Sequence, residues 1–224
     1  MRKSISILIL ALVAVAATAQ PRLWTPEYYL GVHGGVSAST VIFQPRAEYM
    51  TPITNACVLG GNGGLVFRYA GHKYCSFQME LNYLHRGWAT GNDTVARTQH
   101  NLHYIELPIL MHLHFGSETC QWFFNLGPQI GYCVYDENKS IEKPFDWGLL
   151  AGTGVLFNTK KAGTYQLEVR VDYSFGGIVG TSVLDKYNMA SPLDLSINLG
   201  WLMPIKSRKS RVESQILKGL EIKD

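Results

Sequence analysis

Past residue 19 the chain has no apolar run long enough to cross a bilayer as a helix, and no segment before residue 205 carries helical periodicity. Helical membrane proteins and helix bundles are thereby excluded. Basic charge is scarce where a nucleic-acid binder needs it. The formal net charge is +3, but Arg2 and Lys3 sit in the N-terminal segment. The stretch after Pro204 holds six basic residues against three acidic ones, which leaves the body between them at −2. A body of that sign does not wrap nucleic acid, so no such partner is expected. Also missing are a nucleophile elbow, a phosphate-binding loop and a metal motif of proper spacing. The chain has glycine in abundance, 22 residues, with 12 Tyr, 9 Phe and 5 Trp. With a mean hydropathy of 0.00, this composition excludes ordinary disorder and fits a β-rich chain.

The N-terminus predicts export. Arg2 and Lys3 precede an apolar run from Ile5 to Ala17, and Ala17-Thr18-Ala19 is the small-x-small pattern that a signal peptidase accepts before Gln20. Residues 1–19 read as a signal peptide cut between Ala19 and Gln20, residues 20–204 as one β domain, and residues 205–224 as a basic tail. In that tail Val212, Ile216, Leu217 and Leu220 share one face of a short amphipathic helix.

The body alternates. In "YQLEVRVDYSF" Tyr165, Leu167, Val169, Val171, Tyr173 and Phe175 take one parity, and Gln166, Glu168, Arg170, Asp172 and Ser174 the other. Successive Cβ atoms of a strand point to opposite faces, so this is a two-faced strand. Eight segments have this character, at about 28–38, 57–69, 74–86, 102–115, 121–135, 147–158, 165–177 and 193–203. Which face meets water is decided by length and by the connections. Soluble strands cluster near five or six residues, whereas a tilted bilayer-crossing strand needs roughly 9 to 11. The connections alternate long (39–56, 87–101, 136–146, 177–192) and short (70–73, 116–120, 159–162), a sorting that soluble sandwiches have no reason to make. The expected fold is all-β: an eight-stranded antiparallel up-and-down transmembrane β-barrel with short periplasmic turns, longer extracellular loops and both termini periplasmic.

That fold turns the polar parity inward. Eight strands leave a lumen just wide enough to be filled by side chains. Glu80, Glu106, Glu168, Arg170, Asp172, Arg68 and Arg86 are expected to share a paired, hydrogen-bonded interior, since an unpaired buried charge costs several kcal/mol. Acid/base catalysis or ion conduction is the functional alternative for these carboxylates. Pro108 and Pro128, lacking N–H groups, predict a break or bulge where strands four and five face each other. Cys75 and Cys120 fall at one barrel edge and Cys57 and Cys133 at the other. Within each pair they sit on non-adjacent strands, so mostly free thiols are expected despite export. His112-x-His114, and His85, His100 and His103 with Asp93, make a zinc site or a rim hydrolase conceivable. "DTV" at 93–95 resembles a short O-glycosylation acceptor at Thr94.

The strings "YLGVHGGVSAST", "YIELPIL", "FFNLGPQIGY", "YQLEVRVDYSFG" and "INLGWLM", in this order over about residues 28–203, resemble the PorT-like outer-membrane β-barrel family. The resemblance implies a small outer-membrane barrel without enzymatic residues. It also offers, as an alternative role, an accessory part of type IX secretion and gliding machinery. The chain departs from such barrels after Met203, where Pro204 and a twenty-residue tail follow instead of a terminal aromatic. The expectation is therefore a barrel of structural or interaction role with no catalysis, no cofactor and no metal. Its partners would be outer-membrane lipid and other envelope proteins, met through the loops or the tail; a narrow solute channel is a further alternative.

Overall fold

A computed structural model describes residues 27–45, 55–90, 98–117, 119–137, 141, 144–159, 162–175 and 187–205. Residues 1–26, with the expected cleavage site at Ala19 and Gln20, residues 206–224 of the tail, and Asp93 to Val95 lie outside the described residues. Eight strands make up the fold: β1 (Glu27–Pro45), β2 (Asn55–Ala70), β3 (Cys75–Thr90), β4 (Thr98–Gly116), β5 (Cys120–Asp136), β6 (Phe145–Thr159), β7 (Gly163–Ser174) and β8 (Tyr187–Ile205). Each pairs antiparallel with its neighbour in sequence, and β8 closes on β1 from Tyr28↔Ile205 to Pro45↔Tyr187. Closure leaves no unpaired edge, which is what a sheet surrounded by hydrocarbon requires.

The outer face is apolar. Leu30, Val32, Leu65, Leu81, Ile109, Leu126, Leu149, Val169 and Ile197 point outward along the middle of the strands and are exposed. Aromatic residues ring both ends of this band: Tyr28, Tyr74, Phe115, Trp122, Phe157 and Trp201 at the end with the short turns, and Tyr83, Tyr132, Phe145 and Trp147 toward the long loops. Amphipathic rings settle at the two water interfaces of a bilayer.

The turn end is tight. Gly116 (φ 136°) and Gly163 (φ 88°) take left-handed backbone at the β4–β5 and β6–β7 turns, where a Cβ would be strained. In the β4–β5 turn the Ser117 N–H and hydroxyl both donate to the Cys120 carbonyl.

One expectation is corrected and another is narrowed. The strands are 12 to 19 residues long; β1, β3, β4 and β8 run several residues further toward the loops than the alternation suggests, while β7 ends at Ser174, short of the expected 177. Beyond the lipid band both faces no longer meet opposite solvents, so the pairing outlasts the pattern. At the prolines there is a break and no bulge. The β4–β5 ladder is interrupted between Pro108↔Gln129 and Met111↔Leu126 and resumes in the same register, while the register shift falls at His103/Tyr104. A Cβ on Gly127 would lie 1.9 Å from the Ile109 carbonyl oxygen, so the two strands press together across the interruption.

Candidate functional site

Inward-facing side chains from all eight strands contribute to the lumen, which three tiers fill between the loop end and an open cavity of about 370 Å³ at the turn end. The middle tier is centred on Arg170 of β7. Its Nη1 and Nη2 donate to the two oxygens of Glu80, each at 2.6 Å, and Nη2 also donates to Glu168 at 2.8 Å. Fork-to-fork pairing of this kind fixes both partners in plane. Gln78 and Asn82 donate to Glu80 at 2.5 and 2.9 Å, and Gln166 and Asn125 to Glu168 at 2.6 and 2.7 Å. His33 meets Asn82 at 2.7 Å, and His112 meets Asn125 at 2.6 Å. Arg68 donates from Nε to Gln78 and from Nη2 to Gln166. The tier ties together β1, β2, β3, β4, β5 and β7, and its two guanidinium groups balance its two carboxylates.

The next tier, toward the loops, is centred on Arg86. Its Nη1 reaches Asp146 at 3.0 Å, and its Nη2 reaches Glu106 at 2.5 Å, Asp194 at 2.9 Å and Asp172 at 3.6 Å. The guanidinium also lies 4.6 Å from the Tyr104 ring centroid, and Gln129 donates to Asp172 at 2.5 Å. All of these groups are buried. One cation thus meets four carboxylates, an arrangement that lacks the charge balance of the middle tier. Between the two tiers lies a gap of about 30 Å³, the share of a single water.

The third tier is apolar. Val41, Trp88, Leu102, Tyr104 and Cys133 cluster inside the loop end, with Ile141 against them. Alternation predicts a polar interior throughout; here large apolar side chains occupy inward positions and cover the Arg86 cluster.

All seven charged residues singled out in the sequence lie in this interior, but in two separate groups: Arg68, Glu80, Glu168 and Arg170 in one, and Arg86, Glu106 and Asp172 in the other. Asp146 and Asp194 were missed as members of the second group. Asp146 falls in a segment assigned to a loop, although it shares parity with Gly148 and Leu150 and opposes Trp147 and Leu149. Glycine makes room for these side chains. A Cβ on Gly152 would stand 2.4 Å from Glu168 Oε1, and one on Gly64 2.2 Å from Asn82 Oδ1.

The histidine groups resolve differently. His85 and His103 are cross-strand partners with ring centroids 4.8 Å apart, and His103 Nδ1 bonds the Tyr83 hydroxyl at 2.8 Å. His100 instead stacks on Trp88 at 4.8 Å. His112 and His114 face the lumen. Among the described residues no group of three or more His, Cys, Asp or Glu is placed to hold a metal ion. The four cysteines are free thiols, with Cys57 and Cys120 exposed and Cys133 buried.

Comparison with known proteins places this arrangement. Among curated proteins none matches. Among solved structures, the outer membrane protein OprG from Pseudomonas aeruginosa aligns with a TM-score of 0.51 at 13% identity, over 79% of this chain and 96% of that one. Neisserial surface protein A aligns with a TM-score of 0.45 at 13% identity, over 80% and 99% of the respective chains. A family model described as outer membrane protein beta-barrel domain matches residues 19–180. With eight strands closed around a polar interior and an apolar outer face, the chain belongs to the outer membrane protein beta-barrel domain family.

Proposed function

We propose that this protein acts through its surfaces, as a structural or interaction component of the outer membrane, without catalysis and without conducting solutes. The observation that carries this reading is the filled lumen: two charged tiers separated by a gap of one water's volume, under an apolar cap. A conduit needs a continuous wet path, and buried groups locked into ion pairs and hydrogen bonds do not provide one. The carboxylates serve to pack and pair; Glu80 and Glu168 share Arg170, and Glu106 and Asp172 share Arg86. The contacts with other molecules fall to outer-membrane lipid, to the long loops on the extracellular side and to the tail at 205–224 on the periplasmic side, with both termini in the periplasm. Other envelope proteins are the expected partners, and no cofactor is required.

The order of strings shared with PorT-like barrels supports a second, narrower role as an accessory of an envelope secretion machine. Planar-bilayer recordings on the purified full chain test the first reading. No steady conductance is expected, and a reproducible ohmic channel would contradict it. Crosslinking in intact cells, with secreted products compared after gene deletion, separates the two roles: loss of those products supports the accessory role, and an unchanged set leaves only the structural one.

A further inference from the structure

The outer face is not smooth. Near the turn end an apolar groove of about 630 Å³ crosses β6, β7, β8 and β1 and opens toward lipid. Two cross-strand rows wall it. Phe157, Tyr165, Trp201 and Val32 stand side by side at the level of the aromatic ring, and Leu167, Leu199 and Gly34 form the row one step toward the middle of the bilayer. The six large side chains are all exposed.

Nothing inside the protein forces this groove open. A Cβ on Gly34 would meet only the Asn62 carbonyl oxygen, at 3.6 Å, so packing within the sheet does not require glycine there. Glycine in a strand interior weakens the strand and often marks a place where another molecule approaches closely. Across the β1–β2 ladder Gly34 pairs with Gly63, so neither strand carries a side chain at this level. The volume is roughly twenty times the ~30 Å³ share of one water, which is the scale of an acyl chain.

Charge enters at the end of the groove nearest the bilayer surface. Tyr165 and Trp201 are amphipathic rings of the kind that settle at the interface, and Trp201 is fixed there by donating its indole N–H to the Ala162 carbonyl at 2.7 Å. From Trp201, β8 runs on to Ile205, paired with Tyr28, a distance of about 13 Å at ~3.3 Å per residue. Lys206, Arg208, Lys209 and Arg211 follow directly, four basic residues in six, with no acidic residue before Glu213. Glu27, exposed at the start of β1, is a single opposing charge that accepts from the Tyr29 hydroxyl. A polybasic run directly beyond a membrane span is drawn to anionic headgroups.

We propose that the groove holds one anionic phospholipid of the periplasmic leaflet, with an acyl chain against Leu167, Leu199 and Gly34 and the headgroup phosphate met by the basic run that follows Ile205. A zwitterionic lipid matches the groove but not the charge, and a free phosphate matches the charge but not the groove. The site rests on the reading that this protein works through its surfaces and that its turn end faces the periplasm.

Native mass spectrometry of the full chain, released from micelles that hold equal amounts of phosphatidylglycerol and phosphatidylcholine, tests this. One retained phosphatidylglycerol is expected, favoured over phosphatidylcholine by about fivefold or more, the effect of a single basic residue near a charged surface. Soluble glycerol phosphate in excess should not displace it, which separates a lipid from a free phosphate. Gly34→Ile, which fills the groove, should lower retention of both lipids about fivefold. Replacing Lys206, Arg208, Lys209 and Arg211 together by Gln leaves every strand intact; it should abolish the preference while a lipid is still retained, and it decides the matter if Gly34→Ile fails to fold. Equal retention of the two lipids by the parent, displacement by glycerol phosphate, or unchanged retention and preference in the folded variants would overturn the proposal. None of these results bears on conductance, so the filled-lumen reading stands or falls separately.

Discussion

At the scale of single residues, the Arg86 cluster separates two kinds of change that look alike on paper. Removing the guanidinium leaves four buried carboxylates without a cation, whereas removing one carboxylate relieves crowding of like charge. Arg86→Met is expected to cost on the order of 3 to 5 kcal/mol, the range for breaking a buried pair. Asp194→Asn is expected to stay within about 1 kcal/mol of the parent or to exceed it, because three carboxylates still serve one cation. Urea-induced unfolding of the refolded variants in lipid vesicles reads both. A destabilised Asp194→Asn, or an Arg86→Met as stable as the parent, would show that the four acids do not compete. The sequence assigns Glu168, Arg170 and Asp172 to one parity, and the structure buries all three, Glu168 and Arg170 in the middle tier and Asp172 in the next. It does not say which charge pairs with which, since Arg170 meets Glu80 ninety residues away and Arg68 meets Gln166 at a separation of 98. Such pairings follow from barrel closure and register, which no local pattern encodes.

At the scale of strands, alternation was readable where one face meets hydrocarbon and the other a polar lumen, as along β7 and the middle of β5. It failed toward the loops. There Trp88, Leu102 and Tyr104 turn inward, so the contrast between parities fades and the pairing of β1, β3, β4 and β8 continues several residues past it. The proline pair was readable as a break, but its form depended on a close approach that only the paired backbones show. Gly127 sits against the Ile109 carbonyl oxygen at 1.9 Å from where a Cβ would be, and backbone atoms cannot step aside. Gly127→Ala should therefore destabilise the barrel by about 1 to 3 kcal/mol, as overpacking does. Gly34→Ala, whose nearest neighbour would be Asn62 O at 3.6 Å, should be tolerated. Thermal migration assays on the two variants, run side by side, decide whether close approach or glycine content as such matters at the β4–β5 seam.

At the scale of the molecule, the apolar band, the two aromatic rings and the closed sheet have one consistent reading. The polar interior takes the place of a hydrophobic core, and hydrocarbon takes the place of water outside. Stability then comes from ladder hydrogen bonds and lumen pairing, because apolar side chains facing lipid gain nothing further from burial. The inside-out orientation is most directly tested by single nitroxide labels at Leu167, Val169 and Val171, in a cysteine-free background reconstituted into lipid vesicles. These positions face outward on β7, with Val169 43% exposed, so labels there do not enter the lumen network. The account predicts that all three labels collide readily with dissolved oxygen and poorly with a water-soluble nickel chelate. Labels open to the nickel chelate and shielded from oxygen along this strand would contradict it.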